Sequence, residues 1–225
     1  MVKAVIFDWD GTLADTKRAV VRAFQKVLVD AGCAVTDRFI ERRMGIGTKK
    51  TLEEALKECN AEFDDEMLEN LVREKIIIQT SLSKIVSLFE GAGELLEELQ
   101  GRTKIALATM SGRKVVDKLL PEKRIEEYFE VVVTADEISK PKPDAEVFLV
   151  SAAKLGVDPE DCVVIEDSVF GVRAAKAAKM KCIAVPSGAY SREELQEESP
   201  DLMVDALTEK ERILHFIFSN QQSTK

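Results

Sequence analysis

Two carboxylates one residue apart close an apolar run near the start of the chain, Val5-Ile6-Phe7-Asp8-Trp9-Asp10-Gly11-Thr12. The run reads as a buried strand ending in a turn, since Asp-Gly is an ordinary turn signal. On extended backbone Asp8 and Asp10 share a face, so their charges repel unless a cation, a hydrogen-bond network or a raised pKa separates their roles. A bound metal ion or divided catalytic labour meets that demand; turn capping is the plainer alternative.

Further polar residues end other apolar runs. Glu166 and Asp167 follow Cys162–Ile165, Thr109 and Ser111 close the run from Lys104, and Lys140 lies in the proline-bounded loop Ser139–Asp144. Three or four carboxylates with no histidine or cysteine beside them make a hard-cation site, for which Mg²⁺ is the natural occupant. The sole histidine, His215, sits among Ile213, Leu214, Phe216 and Ile217, as a surface or core residue of a terminal helix rather than a ligand. Histidine-based hydrolysis of the serine or zinc kind is therefore set aside. A phosphoryl group offers oxygens that Mg²⁺, Lys140, Thr109, Ser111 and the backbone N–H groups after Asp8, beginning at Trp9, would hold together. Asp8 would attack phosphorus in line while Asp10 protonates the leaving oxygen and later deprotonates water.

These residues need a scaffold that brings four distant loops together. Apolar spacing predicts a helix from about Asp15 to Asp30, a second around Asp37 to Arg43, and a third capped by Thr51 with Glu54 completing a capping box. Residues 64–79 and 81–90 also read as helical. After residue 90, helices and strands alternate. Strands are expected at 104–110, 128–134, 162–167, 181–185 and, briefly, 202–204. The helices fall at 91–100, 114–120 (stopped by Pro121), 143–155, 169–180 and 208–218. Alternation of this kind implies an α/β, Rossmann-like, mostly parallel sheet with helices on both faces, whose ligands collect beyond the carboxyl ends of the strands. The helical stretch 15–85 is then an all-helical cap inserted into a core of residues 1–14 and 86–225. Within it, Arg43, Gly45, Gly47, Lys49 and Lys50 are the candidates to face the substrate, and Asn220 to Lys225 read as frayed.

Composition narrows the classes. A chain of 225 residues with 45% hydrophobic residues supports a substantial core, and a formal charge of -9 argues against nucleic-acid or anionic-membrane partners. Cys33, Cys59, Cys162 and Cys182 are widely spaced and expected to be reduced and structural. With no secretory segment or membrane-length run read in the sequence, the expected location is the cytoplasm.

Asp8-Trp9-Asp10-Gly11-Thr12-Leu13, Ala108-Thr109-Met110-Ser111, Lys140-Pro141-Lys142-Pro143-Asp144 and Val164-Ile165-Glu166-Asp167-Ser168 resemble, in order, the four motifs of the haloacid dehalogenase superfamily. The resemblance spans about residues 3 to 190 and includes a helical cap between the first two motifs. It implies Asp8 as nucleophile, Asp10 as general acid and base, Thr109 as a phosphoryl donor and Lys140 as the cation bridging nucleophile and phosphate. It also implies Asp167 as a Mg²⁺ ligand with Asp8 and the Asp10 carbonyl, and Glu166 as a direct or water-mediated one. The choice of Lys140 over Lys142, taken as exposed by the same loop, rests on the family pattern alone. The second aspartate points away from the dehalogenase branch and toward hydrolysis of a small phosphate monoester. The runner-up, a β-phosphoglucomutase-like transfer on a sugar phosphate, is weakened because the mutases' cap histidine is replaced here by Val20. A catalytically retired binding scaffold is a third reading. Trp9 is expected to pack away from the acids, and the protein to be a monomer or weak homodimer.

Overall fold

The computed structural model describes residues 1–219; Asn220 to Lys225, read above as frayed, lie outside the described residues. Six strands form one parallel sheet: β1 (Ala4–Phe7), β4 (Lys104–Ala108), β5 (Val131–Val133), β6 (Cys162–Glu166), β7 (Lys181–Ala184) and β8 (Leu202–Met203), in the order β5-β4-β1-β6-β7-β8. Two further short strands, β2 (Ala14–Asp15) and β3 (Ser87–Leu88), pair antiparallel. The α/β Rossmann-like class read from the alternation of elements is the class observed.

β1 lies at the centre and serves both layers because its side chains alternate between faces. Val5, Phe7 and then Trp9 enter one core with α5 (Ala92–Leu99), α6 (Arg113–Lys123) and α10 (Lys210–Phe218). Ala4 and Ile6 enter the other, against α7 (Glu146–Leu155), α8 (Val169–Ala177) and α9 (Arg192–Glu197). The Trp9 side chain is fully buried in the first core, on the side away from the acids.

Between β2 and β3 the chain is helical: α1 (Lys17–Asp30), α2 (Asp37–Glu41), α3 (Thr48–Glu58) and α4 (Asp65–Ser81). These helices bury their own cluster, in which Phe24, Val27 and Leu28 meet Leu52, Leu56, Leu68 and Leu71. Among the described residues no helix is long and apolar enough to cross a membrane.

Several local expectations are corrected. α3 begins at Thr48 after Gly47 rather than at Thr51; the Thr51 hydroxyl instead donates to the Gly47 carbonyl one turn back (2.9 Å), a bond open to a hydroxyl inside a helix. The segment 81–90 is not a helix: it holds one short 3₁₀ turn, Ser83–Ile85, and then β3. α6 runs through Pro121, whose position in the last turn costs the helix only one late bond. Cys33 and Cys59 are joined in a disulfide, while buried Cys162 and Cys182 are free. The turn at Gly32 (φ +72°) carries Cys33 back against the end of α3, a proximity that spacing in sequence does not disclose.

Candidate active site

Strand register gathers the acids. Phe7 is level with Leu107 on one side and Ile165 on the other, so Asp8, one step on, comes level with Glu166 at the carboxyl edge of the sheet. Asp8 is 4% exposed, Glu166 1% and Asp167 5%. Their carboxylates offer ligand atoms that all lie within 4.8 Å of one another.

One cation sits among them, and it is Lys142. Its ammonium donates to Asp8 Oδ1 (2.7 Å) and Glu166 Oε1 (2.6 Å), fully buried over the Phe148 ring. Lys140, assigned that role from the sequence, is exposed, and its amide N–H donates to Glu146 Oε2 (2.7 Å). A turn closed by the Asp144 N–H on the Pro141 carbonyl (3.0 Å) directs residue 142 inward and leaves residue 140 in solvent. The expectation that Lys142 is exposed is reversed with it.

The remaining carboxylate oxygens are held by the loops around them. Glu166 Oε2 accepts from the N–H groups of Asp167 and Ser168 (both 2.9 Å) and from Ser168 Oγ (3.0 Å). Asp167 Oδ1 accepts from Thr12 Oγ1 (3.0 Å). Gly11 (φ +93°) and Gly188 press on the same carboxylate: a Cβ at either would lie 2.3 Å or 1.7 Å from Asp167 Oδ2. Side chains there would close the space beside Asp167.

Asp10 is held differently. Its Oδ1 accepts from Thr16 Oγ1 (2.7 Å), and its Oδ2 from Ser111 Oγ (2.6 Å) and Thr109 Oγ1 (3.3 Å). Thr109 and Ser111, expected at the phosphoryl group, are thus brought to the acid pair and orient the second acid.

Three buried carboxylates face one ammonium, and the imbalance shows in the protonation of Asp8 and Asp167. Burial pushes the Asp8 carboxyl up to about 7; Lys142 opposes that rise, and the charges of Glu166 and Asp10 add to it. Burial, with Glu166 and Asp8 adding to it, also raises Asp167 well above its ordinary range. Burial would lower the Lys142 ammonium, but Asp8 and Glu166 outweigh it and raise its pKa. A cluster of oxygen donors with surplus negative charge and no nitrogen or sulfur donor suits a hard divalent cation such as Mg²⁺.

The helical insert faces this edge across two cavities that share Gly47, Thr48 and Met110. The smaller, about 30 Å³, is also lined by Asp10, Val20, Phe24, Arg43, Gly45, Ser111 and Lys75; the larger, about 410 Å³, by Lys49, Lys50, Ser139 and Pro141. Gly45 approaches Ser168 Oγ and Gly47 approaches Met110 Cε. The expected cap cations have acidic partners: Arg43 pairs with Glu54 (2.7 Å) and Lys49 with Glu69 (3.8 Å), while Lys50 is exposed. Sequence reasoning passed over Lys75, 3% exposed, whose ammonium donates to Thr48 Oγ1 (3.1 Å) and Gln79 Oε1 (2.5 Å) and lies over the Phe24 ring. Burial pushes it down to about 8, with Asp10 pulling the other way. The signal was there: Leu68, Leu71, Lys75 and Gln79 fall at helical spacing on the buried stripe of α4. His215 is exposed on α10, remote from the candidate roles.

A family model described as haloacid dehalogenase-like hydrolase matches residues 5–185. The chain belongs to that family. It is 33% identical over 183 residues to the phosphorylated carbohydrates phosphatase of Thermotoga maritima, covering 81% of this chain and 84% of that one. It is 34% identical over 193 residues to the beta-phosphoglucomutase of Bacillus subtilis, covering 83% and 84%. A crystal structure of beta-phosphoglucomutase from Clostridium difficile superposes with a TM-score of 0.86 at 26% identity, covering 98% of this chain and 99% of that one. The phosphatases and phosphomutases among these relatives support phosphate-ester hydrolysis or transfer as the chemistry of this haloacid dehalogenase-like chain.

Proposed function

We propose that the protein hydrolyses the phosphate monoester of a small metabolite, with Mg²⁺ bound and Asp8 transiently phosphorylated. The observation that carries this reading is the buried Lys142 fixing Asp8 and Glu166 beside Asp167, with Asp10 two residues on and oriented by three hydroxyls. Asp8, Glu166, Asp167 and the Asp10 carbonyl would hold the metal. When bound it neutralises phosphoryl oxygens and keeps Asp8 ionised.

The chain's own residues account for the bond changes. An Asp8 carboxylate oxygen attacks phosphorus as the ester P–O bond breaks, and Asp10 in its acid form gives its proton to the leaving oxygen. Water then attacks phosphorus, its proton passes to Asp10, and Asp8 leaves as carboxylate. Lys142 holds Asp8 at the attacking angle. The N–H of Trp9 contributes a donor for the phosphoryl oxygens, and the Thr109 and Ser111 hydroxyls, which orient Asp10 before substrate binds, would turn to supply two more. Residues 15–85 act as a cap on the core of residues 1–14 and 86–225, excluding bulk water and selecting the leaving group with Arg43, Gly45, Gly47, Lys49, Lys50 and, in addition, Lys75.

Water is favoured over a sugar phosphate as acceptor because Val20 presents an apolar wall to the cavity beside Asp10 and the Arg43 charge is already paired with Glu54. A panel of phosphate monoesters assayed with Mg²⁺ and with chelator tests the reading. Metal-dependent phosphate release is expected. Isomerisation of β-glucose 1-phosphate, primed by a bisphosphate and without net phosphate release, would instead establish the transferase.

A further inference from the structure

The loop between β7 and α9, residues 185–191, touches three parts of the molecule within four residues. Ser187 Oγ donates to the carbonyl of Gly11 (2.6 Å), in the turn that follows Asp10. Gly188 lies so close to Asp167 that a Cβ would fall 1.7 Å from its carboxylate. Tyr190, 5% exposed, then crosses to the helical insert, where its hydroxyl donates to the carbonyl of Arg42 (2.7 Å) at the end of α2.

Arg42 is held twice. Its guanidinium lies 3.9 Å over the centre of the Tyr190 ring and 2.7 Å from Glu194 Oε1 on α9. The Phe170 ring meets Tyr190 edge to face at 6.2 Å, buttressing it from the first turn of α8, which follows Glu166 and Asp167 in the chain. Burial raises the Tyr190 hydroxyl to about 12, so it remains a donor throughout the neutral range. From Arg42 the chain runs within three residues to Gly45, which rests against Ser168, and on to Gly47 at the cavity mouth.

We propose that Tyr190 and Arg42 are positioning residues, a clasp that holds the Arg43–Gly47 segment down over the acid site and is keyed to Asp167 through the backbone of Gly188. The inference rests on the reading of residues 15–85 as a cap. Contacts within α1–α4 fix the shape of the insert; Ile76 of α4 meets the core beside Gly112, and this clasp seats the Arg43–Gly47 segment. From a loop that also abuts the acid cluster, the Tyr190 hydroxyl reaches the Arg42 carbonyl and the Tyr190 ring its guanidinium, and from α9 Glu194 pairs with the same residue. Occupancy at Asp167 is thereby felt at the seat of the insert, and loosening the seat is felt as weaker retention of the leaving group.

Hydrogen–deuterium exchange and kinetics on the full-length protein test this together. Wild type, Tyr190→Phe and Arg42→Lys are compared with Mg²⁺ and inorganic phosphate present. Peptides covering residues 37–47 are expected to exchange about fivefold to tenfold faster in Tyr190→Phe, the factor for one lost net hydrogen bond, with β1 and β6 unchanged. KM for p-nitrophenyl phosphate should rise by a similar factor with kcat within about twofold, while acetyl phosphate, whose leaving group is small, is turned over as by wild type. Arg42→Lys, which keeps the charge opposite Glu194 and loses the planar stack, should fall between and serves if Tyr190→Phe does not fold. Unchanged exchange and unchanged KM in both variants, in a protein whose wild type is active, overturn the clasp and leave the phosphatase reading intact. Faster exchange in the variants of a protein that turns over no phosphate ester overturns the phosphatase reading and leaves the clasp.

Discussion

The acid edge of the sheet and the wall of the helical insert face each other across the same cavities but hold charge in opposite ways. At the sheet edge, three buried carboxylates face one buried ammonium; strand register brings the acids together and a turn brings in Lys142. On the insert, Arg43 and Lys49 carry their own partly exposed acidic partners, pairs of the kind that contribute at most about 1 kcal/mol. Lys75 is the insert's exception, buried against neutral partners. The unbalanced edge calls for an added cation and so fixes the chemistry. The balanced wall can change without unsettling the fold, which suits a surface that selects substrates.

The largest expected effect breaks the edge. Lys142→Ala leaves Asp8 and Glu166 buried without their cation, which should cost on the order of 3–5 kcal/mol in urea unfolding and at least about 10²-fold in kcat. Lys140→Ala, altering an exposed side chain, should leave both within about twofold or 0.5 kcal/mol. Equal losses from the two variants would erase the difference between residues 140 and 142.

The next effect is a pH dependence peculiar to the edge. In the folded metal-free protein Asp8 keeps its proton up to about 7, whereas the unfolded chain releases it near its ordinary value of 3.8. The folded state therefore binds more protons across that window, and stability falls as pH rises through it. Melting temperature without metal should drop from pH 5 to pH 8 by on the order of several degrees, and Mg²⁺ should restore it at pH 8 far more than at pH 5. A metal-free Tm that rises across the window would contradict the charge imbalance.

The smallest effect probes the wall. Lys75→Met removes a buried charge whose hydrogen-bond partners are uncharged, so stability should hold or rise by about 1 kcal/mol, the reverse of Lys142→Ala. KM for an ester with a hydroxylated leaving group should rise about tenfold, and acetyl phosphate should be unaffected. A fall in stability like that of Lys142→Ala would put Lys75 with the edge.

The same division governs how much could be read from sequence. Apolar runs ending in Asp8, Thr109 and Glu166 were legible because a parallel sheet aligns its carboxyl ends, so motif and position coincide. Lys142 was not, because whether residue 140 or 142 points inward is decided by a turn between two prolines, and both positions carry lysine. Thr51 was mistaken for a cap because a hydroxyl followed by Glu54 fits a capping box, whereas Gly47 starts the helix a turn earlier. The Cys33–Cys59 bond joins residues 26 apart that meet only once α1 and α3 have packed. Tyr190 lay beyond the last motif, in a loop whose importance arises from its neighbours in space.

The central claim is that Asp8 carries the phosphoryl group between two half-reactions and Asp10 moves the proton in each. It is tested most directly by acid-quenching the Asp10→Asn protein after mixing with Mg²⁺ and acetyl phosphate, then mapping the added mass by peptide mass spectrometry. With its second step disabled, this variant should accumulate one phosphoryl group on the peptide bearing Asp8, and the Asp8→Asn protein should accumulate none and release no phosphate. Wild-type turnover by Asp8→Asn, or a phosphoryl group mapped to any other residue, would contradict the account.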